Sequence, residues 1–426
     1  MNRTLWMTTL LISALLLPAM VAVAQPAPAQ PAPAKAAPAT PTPATPAPVA
    51  MPKLVMPAPL PAVPATVGDV KIDGARINKS VATAYAQIVK DLPKMLAQYP
   101  NSRAQVLNYC RGNIKNLPTS QLQEMIFFEL QKKYIERQKI SCTDDEYKTF
   151  RSKVETMLAQ RKLKLDQMLK DRGWNESDLR IIAAWETYVK TKVGPKAISD
   201  FIRVNPTLFN GTKRATSHVL VLCDPLASTK TQQAAIAELA KIKAEVTAKK
   251  IAFADAAMKY SHDPSSRGNQ MMPPNKGSMG NIVFFDPVRP LVPTFSYGAF
   301  RCTIGGMITP VRTNYGFHLI QVTAEIPGAK NKGTTADLAK NAMKARANNK
   351  AAQDLLGAQL QNAVLNMALN GCDIVYAPAI QAKMDKDAAA KNPPRAEPKA
   401  ATKEAPKACK CGKCAKCVAA KPAAKK

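Results

Sequence analysis

The stretches RATSHVLVL (residues 214–222) and TNYGFHLIQV (residues 313–322) decide the fold of the central part of the chain. Each places a histidine, His218 or His318, directly before a short apolar run that is typical of a buried β-strand. The chain contains only 3 histidines, and the third, His262, lies between these two. A single histidine on a buried strand is usually a core residue. Antiparallel pairing of the two strands would instead bring both imidazoles together, and their matched placement favours a shared site.

The sequence between these strands alternates helix and strand patterns. Residues 231–246 have apolar side chains spaced by three and four, as in an amphipathic helix, and residues 251–261 indicate a second, shorter helix. NIVFF (281–285) indicates a strand, VPTFSYGAF (292–300) a helix, and TIGGMITP (303–310) a turn. The order strand–helix–helix–strand–helix–strand predicts an α+β unit with helices packed on a small, mainly antiparallel sheet.

Helical periodicity dominates on both sides of this unit. SQLQEMIFFELQKKYIERQK (120–139) has an apolar face, and TDDEYKTFRSKVETMLAQR (143–161) opens with the threonine and acidic residues typical of a helix N-terminus. A further helix over 334–380 carries an apolar stripe that needs a cover. We therefore expect it to return to a helical domain at 67–212, with the α+β unit at 213–327 inserted between the two helical parts.

The two ends of the chain have compositions that cannot form a core. Residues 1–24 carry a basic start and a long apolar run that ends in small residues, which predicts a secretory signal peptide, with an uncleaved membrane anchor as the alternative. Residues 25–66 are rich in Pro and Ala and predict an extended linker. Residues 384–426 are rich in Lys, Ala and Cys and predict a disordered tail. We expect a protein exported to the periplasm or cell envelope and soluble once the signal peptide is removed.

The charge balance restricts the classes of partner. The formal net charge is +30, with 60 basic and 30 acidic residues. A diffuse basic surface favours anionic partners, such as an anionic envelope surface. An exported chain without a recognisable nucleic-acid module is not expected to bind nucleic acid, and no cofactor is expected.

Several motifs of the α+β unit stand in the order and spacing of a known family. ATSHVLVL, FADAAMKYSHDPSS, GSMG, FSYGAF and GGMITPVRTNYGFHLIQV closely resemble the parvulin-type peptidyl-prolyl cis/trans isomerases. The flanking helices are similar to the helical chaperone module of the exported SurA/PrsA-type foldases. This resemblance implies an isomerase and chaperone acting on unfolded or nascent exported polypeptides with X–Pro bonds.

The resemblance also implies the site residues. The family's catalytic positions fall on His218, Asp263 and His318. Its proline-binding pocket, with a small hydroxyl position beside the second histidine, falls on Met279, Leu291, Phe295, Phe300 and Thr313.

Three other residues near these motifs receive different interpretations. His262 matches no catalytic position and is expected to face solvent or to form a local hydrogen bond. Gly316 is expected to leave room beside the ring of His318. Cys223 is not expected to act as a nucleophile, because no base is assigned to it.

The chemistry of proline isomerisation fits these residue types. Rotation about an amide has a barrier of ~18–20 kcal/mol because resonance must be broken. An apolar pocket would hold the proline ring, while polar groups favour the twisted amide over the planar one. Two alternatives remain open: a holdase that binds chains without catalysis, and a cell-envelope tether that uses the Pro/Ala linker and the cationic tail.

The cysteines divide into two groups. The motif CKCGKCAKC contains Cys409, Cys411, Cys414 and Cys417. Thiolates spaced in this way hold zinc or copper(I) in other proteins, but disulfides or the absence of a defined role are equally open here. We expect no metal in the folded part, whose cysteines are Cys110, Cys142, Cys223, Cys302 and Cys372.

Overall fold

The computed structural model of the protein describes residues 54–160, 162–268, 271–328 and 338–391. Its helices α1 to α12 are, in order, Gly74–Gln98, Arg103–Arg137, Asp144–Ala159, Leu165–Arg172, Glu176–Val193, Pro195–Val204, Pro206–Phe209, Thr229–Thr247, Phe253–Tyr260, Pro293–Arg301, Leu338–Leu365 and Pro378–Lys391. Its strands β1 to β7 are Ala65–Val67, Val70–Lys71, Lys213–Leu222, Ser278–Val283, Met307–Thr313, Gly316–Ile326 and Ile374–Tyr376.

Several predictions for the chain ends lie outside the described residues. These are the signal peptide (1–24), the first part of the linker and the Cys-rich end of the tail with Cys409, Cys411, Cys414 and Cys417. Within the described ranges, no helix is both long enough and apolar enough to span a membrane.

A four-stranded antiparallel sheet forms the centre of the α+β unit. Its strand order is β4-β3-β6-β5, so the first and last strands of the unit, β3 and β6, are neighbours as predicted. The turn predicted for 303–310 is wrong in its second half, because Met307 already begins β5. Pro310 fits within β5 because β5 lies at the sheet edge, where proline is tolerated, and the pairing with β6 is interrupted there.

Helices cover both faces of this sheet. On one face, α8 and α9 pack against Val219, Phe317 and Leu319. On the other face, α10 packs against Ile320 and Val322. Because side chains alternate along a strand, the residues between those of the first group face α10, and these include both histidines.

Local capping signals start or end several helices of the part before the sheet, and the start predicted at Thr143 is confirmed. Thr143 caps α3 in a capping box with Glu146, and Asn175 caps α5 in the same way with Asp178. Gly173 ends α4 with a φ of 65°, a left-handed conformation that glycine adopts without strain. These local signals place the helices, and buried side chains such as Phe128 join them into a core.

The C-terminal elements return to the helical part, as the apolar stripe predicts. Helix α11 contacts α2, α5 and α6 as well as α10 of the α+β unit. Strand β7 then pairs antiparallel with β1, so the chain segments before and after the α+β unit share one small sheet. The predicted fold class, an α+β unit flanked by a helical domain, is therefore confirmed.

Three of the expected domain boundaries need correction. The linker does not extend to residue 66, because Leu54 is buried against α1 and α2 and Ala65–Val67 forms β1. The tail does not become irregular at Met384, because α12 continues to Lys391. The single helix expected over 334–380 is wrong, because α11 ends at Leu365 and β7 lies within that range. The ordered segment that includes Leu54 and β1 was not predicted, because Pro/Ala-rich sequence has no strand or helix periodicity.

Candidate active site

The register of β3 and β6 places His218 and His318 diagonally opposite each other. His318 pairs with Leu220 and His218 pairs with Ile320, and paired residues point to the same face of a sheet. Each histidine is only 4% exposed. Their Nδ1 atoms are 3.2 Å apart, and the rings are stacked with centroids 5.5 Å apart. The structure thus brings together the two imidazoles that the strand pattern predicted to meet.

Asp263 and Thr313 extend this pair into a chain of hydrogen bonds. Asp263 Oδ2 lies 2.9 Å from His218 Nε2, and Thr313 Oγ1 lies 2.9 Å from His318 Nε2. An ionised carboxylate only accepts, so His218 donates from Nε2 and keeps Nδ1 as an acceptor. His318 then donates from Nδ1, and its Nε2 accepts the hydroxyl proton of Thr313. One arrangement of protons therefore satisfies every contact with both imidazoles neutral.

The electrostatics of the site favour this arrangement. The hydrogen bond from His218, with help from Ser265, holds the pKa of Asp263 well below its usual range. Burial lowers the pKa of His318 from 6.5 to about 3, and the neighbouring His218 adds to the effect. At neutral pH the chain of hydrogen bonds therefore runs from a neutral hydroxyl, through neutral His318, to a carboxylate anion.

A second layer of polar residues holds Asp263 in place. Asp263 Oδ1 accepts from the backbone N–H of Ser265 at 2.9 Å and from its hydroxyl at 2.8 Å. Asn275 donates from Nδ2 to Ser265 Oγ at 2.9 Å, and Ser261 Oγ accepts from the N–H groups of Leu220 and Asp263. Sequence reasoning missed these supporting residues. The Asp-Pro-Ser run is a turn signal that points to Ser265, but no local pattern links it to Asn275.

An apolar surface lies beside the imidazole pair. The ring of Phe295 stands edge-on to both histidines, with centroids 5.3 Å from His218 and 5.2 Å from His318. Met279 and Leu291 are partly buried and pack against the same cluster as Phe295. Three of the residues implied for a proline pocket thus meet next to the polar chain.

Phe300 does not join this surface. It lies five residues after Phe295 on α10, which places it about 140° further around the helix. Its ring packs against Phe284 at 6.2 Å, and the guanidinium of Arg214 lies 5.2 Å from its centroid. The role implied for Phe300 as a pocket residue is therefore corrected to packing at the junction with the helical part.

His262 and Gly316 support strand β3. The backbone N–H of His262 donates to the carbonyl of Leu220 at 2.7 Å, and its Nδ1 accepts from Leu222 N–H at 2.9 Å. His262 is therefore a local hydrogen-bond partner, as expected. Gly316 has a φ of 141°, and a Cβ there would lie 2.2 Å from the carbonyl oxygen of Val221. The absence of a side chain at Gly316 therefore allows the backbone of β3 to approach closely.

Cys223 has the surroundings of a structural thiol. Burial raises its pKa to about 11, so the thiolate is scarce at neutral pH. Among the described residues, no group of three His, Cys, Asp or Glu side chains is placed to hold a metal ion.

Comparison with known proteins shows which proteins the α+β unit is similar to. Residues 218–324, a span that contains both paired histidines, match the model of the PPIC-type PPIase (rotamase) domain. A Haemophilus influenzae protein named as a SurA peptidyl-prolyl cis-trans isomerase is 29% identical over 153 residues, which are 36% of this chain and 41% of the relative. The foldase protein PrsA of a Geobacillus strain is 38% identical over 71 residues, 17% of this chain and 22% of the relative.

Residues 218–324 are thus similar to the PPIC-type domain, and the chain spans less than half the length of these curated relatives. The crystal structure of the peptidylprolyl isomerase PrsA from Bacillus anthracis is 20% identical and covers 58% of this chain and 97% of its own, with a TM-score of 0.24.

Proposed function

We propose that the protein is a parvulin-type peptidyl-prolyl cis/trans isomerase and chaperone for exported polypeptides. The imidazole pair packed edge-on against Phe295, inside a segment that matches the PPIase domain model, is the observation that supports this most strongly. The proposed catalytic residues are His218, Asp263 and His318. The proposed substrate-binding residues are Met279, Leu291, Phe295 and Thr313.

The apolar surface would hold the proline ring of the substrate. Phe295, which is buried, would contact the proline ring from below, and Met279 and Leu291 are partly exposed in the same cluster. Burial of a small apolar ring here excludes water from one side of the X–Pro bond. Binding on that side leaves the preceding carbonyl beside the imidazoles, which is where rotation must be assisted.

The polar chain would lower the barrier by favouring the twisted amide. Catalysis needs only interactions that are stronger in the twisted state than in the planar one. The imidazoles are buried and fixed by hydrogen bonds at both ends, so their dipoles need no reorganisation as the amide turns. No nucleophile takes part in this proposal, because rotation neither makes nor breaks a σ bond.

Asp263 has two candidate roles, and its contacts favour one of them. Its negative charge could disfavour the planar carbonyl directly, or it could orient the imidazole pair. Both carboxylate oxygens are already engaged, Oδ2 with His218 and Oδ1 with Ser265. This engagement supports the orienting role.

The helical part is proposed to bind unfolded clients of the isomerase. Helix α6 lines an open cavity of about 640 Å³ with Ile198 and Ile202, and Asn349 and Gln353 of α11 also line it. Its mixed apolar and polar lining would suit segments of unfolded chain. Export to the periplasm or cell envelope, and attraction to its anionic surfaces, remain part of this proposal on the predicted signal peptide and the charge of +30.

Isomerisation of an Ala-Pro peptide, followed in the full-length chain, tests the proposal. We expect His318→Ala and Phe295→Ala to lower kcat/KM by about tenfold or more, because each removes one side of the site. Phe300→Leu is the matched control, since it changes an aromatic residue of the same helix on its opposite side.

Two other outcomes would each support one of the alternative functions. Wild-type rates in both site variants, with suppression of client aggregation retained, would support the non-catalytic holdase. Extraction of the protein with wall or membrane fractions, lost on deletion of residues 392–426, would support the envelope tether.

A further inference from the structure

Arg312 and Thr313 are consecutive residues at the end of β5, and their side chains point to opposite faces of the sheet. The Thr313 hydroxyl faces the imidazole pair. Arg312 pairs with Phe317 and lies on the α8 face, where its guanidinium is 4.6 Å from the centre of the Phe317 ring. A single peptide unit therefore joins the polar chain of the site to a group on the far side of the sheet.

The Arg312 guanidinium is a buried cation with few partners. It is 8% exposed, and Nη2 donates to Gln232 Oε1 at 2.7 Å. In the part of the chain that the structure describes, Nε finds no acceptor. Burial lowers the pKa of Arg312 to about 10, so it is still protonated at neutral pH. Because burying a charge without a carboxylate partner is unfavourable, stability alone does not account for an arginine here.

Helix α11 holds the main chain of the same residue. Asn362 donates from Nδ2 to the carbonyl oxygen of Arg312 at 3.2 Å. The segment after α11 is tied to the start of α8 nearby: Thr229 Oγ1 donates to the carbonyl of Ala368 at 3.0 Å and accepts from Ile374 N–H at 2.8 Å. Residue 312 is therefore held by two hydrogen bonds. Its side chain donates to Gln232 of α8, and its carbonyl oxygen accepts from Asn362 of α11.

We propose that Arg312 and Asn362 are positioning residues. Through them, helix α11 holds the Thr313 hydroxyl where it donates to His318 Nε2. The proposal rests on the isomerase function proposed above. The peptide group between residues 312 and 313 sets where Thr313 Oγ1 lies, and a displacement of about 1 Å is enough to break its hydrogen bond to His318 Nε2. Without the Thr313 donor, His318 loses the hydrogen bond that keeps its Nε2 unprotonated.

The test compares two full-length variants that each remove one hydrogen bond of the same C-terminal segment. Asn362→Ala removes the bond to the Arg312 carbonyl. Tyr376→Phe removes the bond from Tyr376 Oη to the Leu226 carbonyl, 2.6 Å long, without touching residue 312. Imidazole nitrogen NMR reports the state of His318 Nε2 directly. We expect Asn362→Ala to shift that resonance and to lower kcat by about tenfold with little change in KM, and Tyr376→Phe to do neither.

Substitution of Arg312 provides an independent test. Arg312→Met keeps much of the volume without the charge, and we expect it to unfold at the wild-type temperature or above while kcat falls. Arg312→Lys should recover part of kcat. If Arg312→Met does not fold, the comparison of Asn362→Ala with Tyr376→Phe decides alone.

Two results would overturn the coupling: an unchanged His318 resonance in Asn362→Ala, or equal losses of kcat in Asn362→Ala and Tyr376→Phe. The imidazole spectra require no turnover. An inactive wild-type protein would therefore count against the proposed function. The spectra would still test whether Asn362 affects the hydrogen bond between Thr313 and His318.

Discussion

Individual residues determine the chemistry of this site, and their burial is as important as their identity. His318 is neutral because burial disfavours its charged form, and Asp263 is ionised because His218 and Ser265 donate to it. The sequence predicted the meeting of the histidines, because strand periodicity shows which positions share a face. It could not predict Ser261 or Asn275 as supports, since their contacts depend on loop geometry that has no periodic signal.

Acidification should destabilise the protein through His318. Its pKa is about 3 in the folded chain and 6.5 when unfolded, so the unfolded chain binds more protons between these values. The resulting stability is fully present above pH 6.5 and is lost as the pH falls towards 3. Between pH 7 and pH 5 the free energy of unfolding should drop by roughly 2 kcal/mol from this group.

Urea unfolding at the two pH values measures this loss. His318→Gln should remove most of the dependence, because glutamine does not titrate. His262→Gln serves as the control and should retain it, since His262 lies outside the imidazole pair. A His318→Gln protein with the full wild-type dependence would show that another group is responsible.

At the scale of elements, the pairing of the strands was predictable from the sequence. The side of each helix that packs on the sheet was not. The α10 helix was expected from its sequence, but the side on which Phe300 lies depends on how α10 sits on the sheet. Likewise, β5 was concealed by Gly305, Gly306 and Pro310, which are turn signals wherever the sheet context is unknown. Packing partners supply the information that local patterns lack.

The β5–β6 hairpin should be sensitive to Gly316 for a steric reason. Gly316 and Gly305 both have positive φ, but a Cβ would meet nothing within 4 Å at Gly305 and the β3 backbone at Gly316. Gly305→Ala should cost about 1–2 kcal/mol of unfolding free energy from conformation alone. Gly316→Ala should cost clearly more, because β3 and β6 must separate. Equal losses in urea unfolding would contradict the close approach of the two strands.

On the scale of the whole molecule, the parvulin-type unit is joined to the helical part by an aromatic cluster. Phe209 of α7 packs edge-on against Phe284 at 5.3 Å and against Phe201 at 6.1 Å, and Leu355 of α11 belongs to the same cluster. Local sequence patterns do not predict this junction, because its members lie in four helices and in the segment after β4. The cluster predicts that the two parts unfold together.

Calorimetry tests this cooperativity. The wild-type chain should unfold in one transition, and Phe209→Ala should cost about 3–5 kcal/mol and separate or broaden it. Tyr109→Ala, which truncates a 37% exposed aromatic residue of α2, is the control and should leave the transition nearly unchanged. A single unshifted transition in Phe209→Ala would show that the junction does not couple the two parts.

Exchange NMR of an Ala-Pro peptide with a catalytic amount of the full-length protein tests most directly whether proline is isomerised beside the imidazole pair. We expect cis/trans exchange peaks that appear only with protein, and magnetisation transfer from the proline ring to Phe295. Absence of exchange, or transfer from the proline ring to protons remote from Phe295 and the imidazole pair, would contradict this expectation.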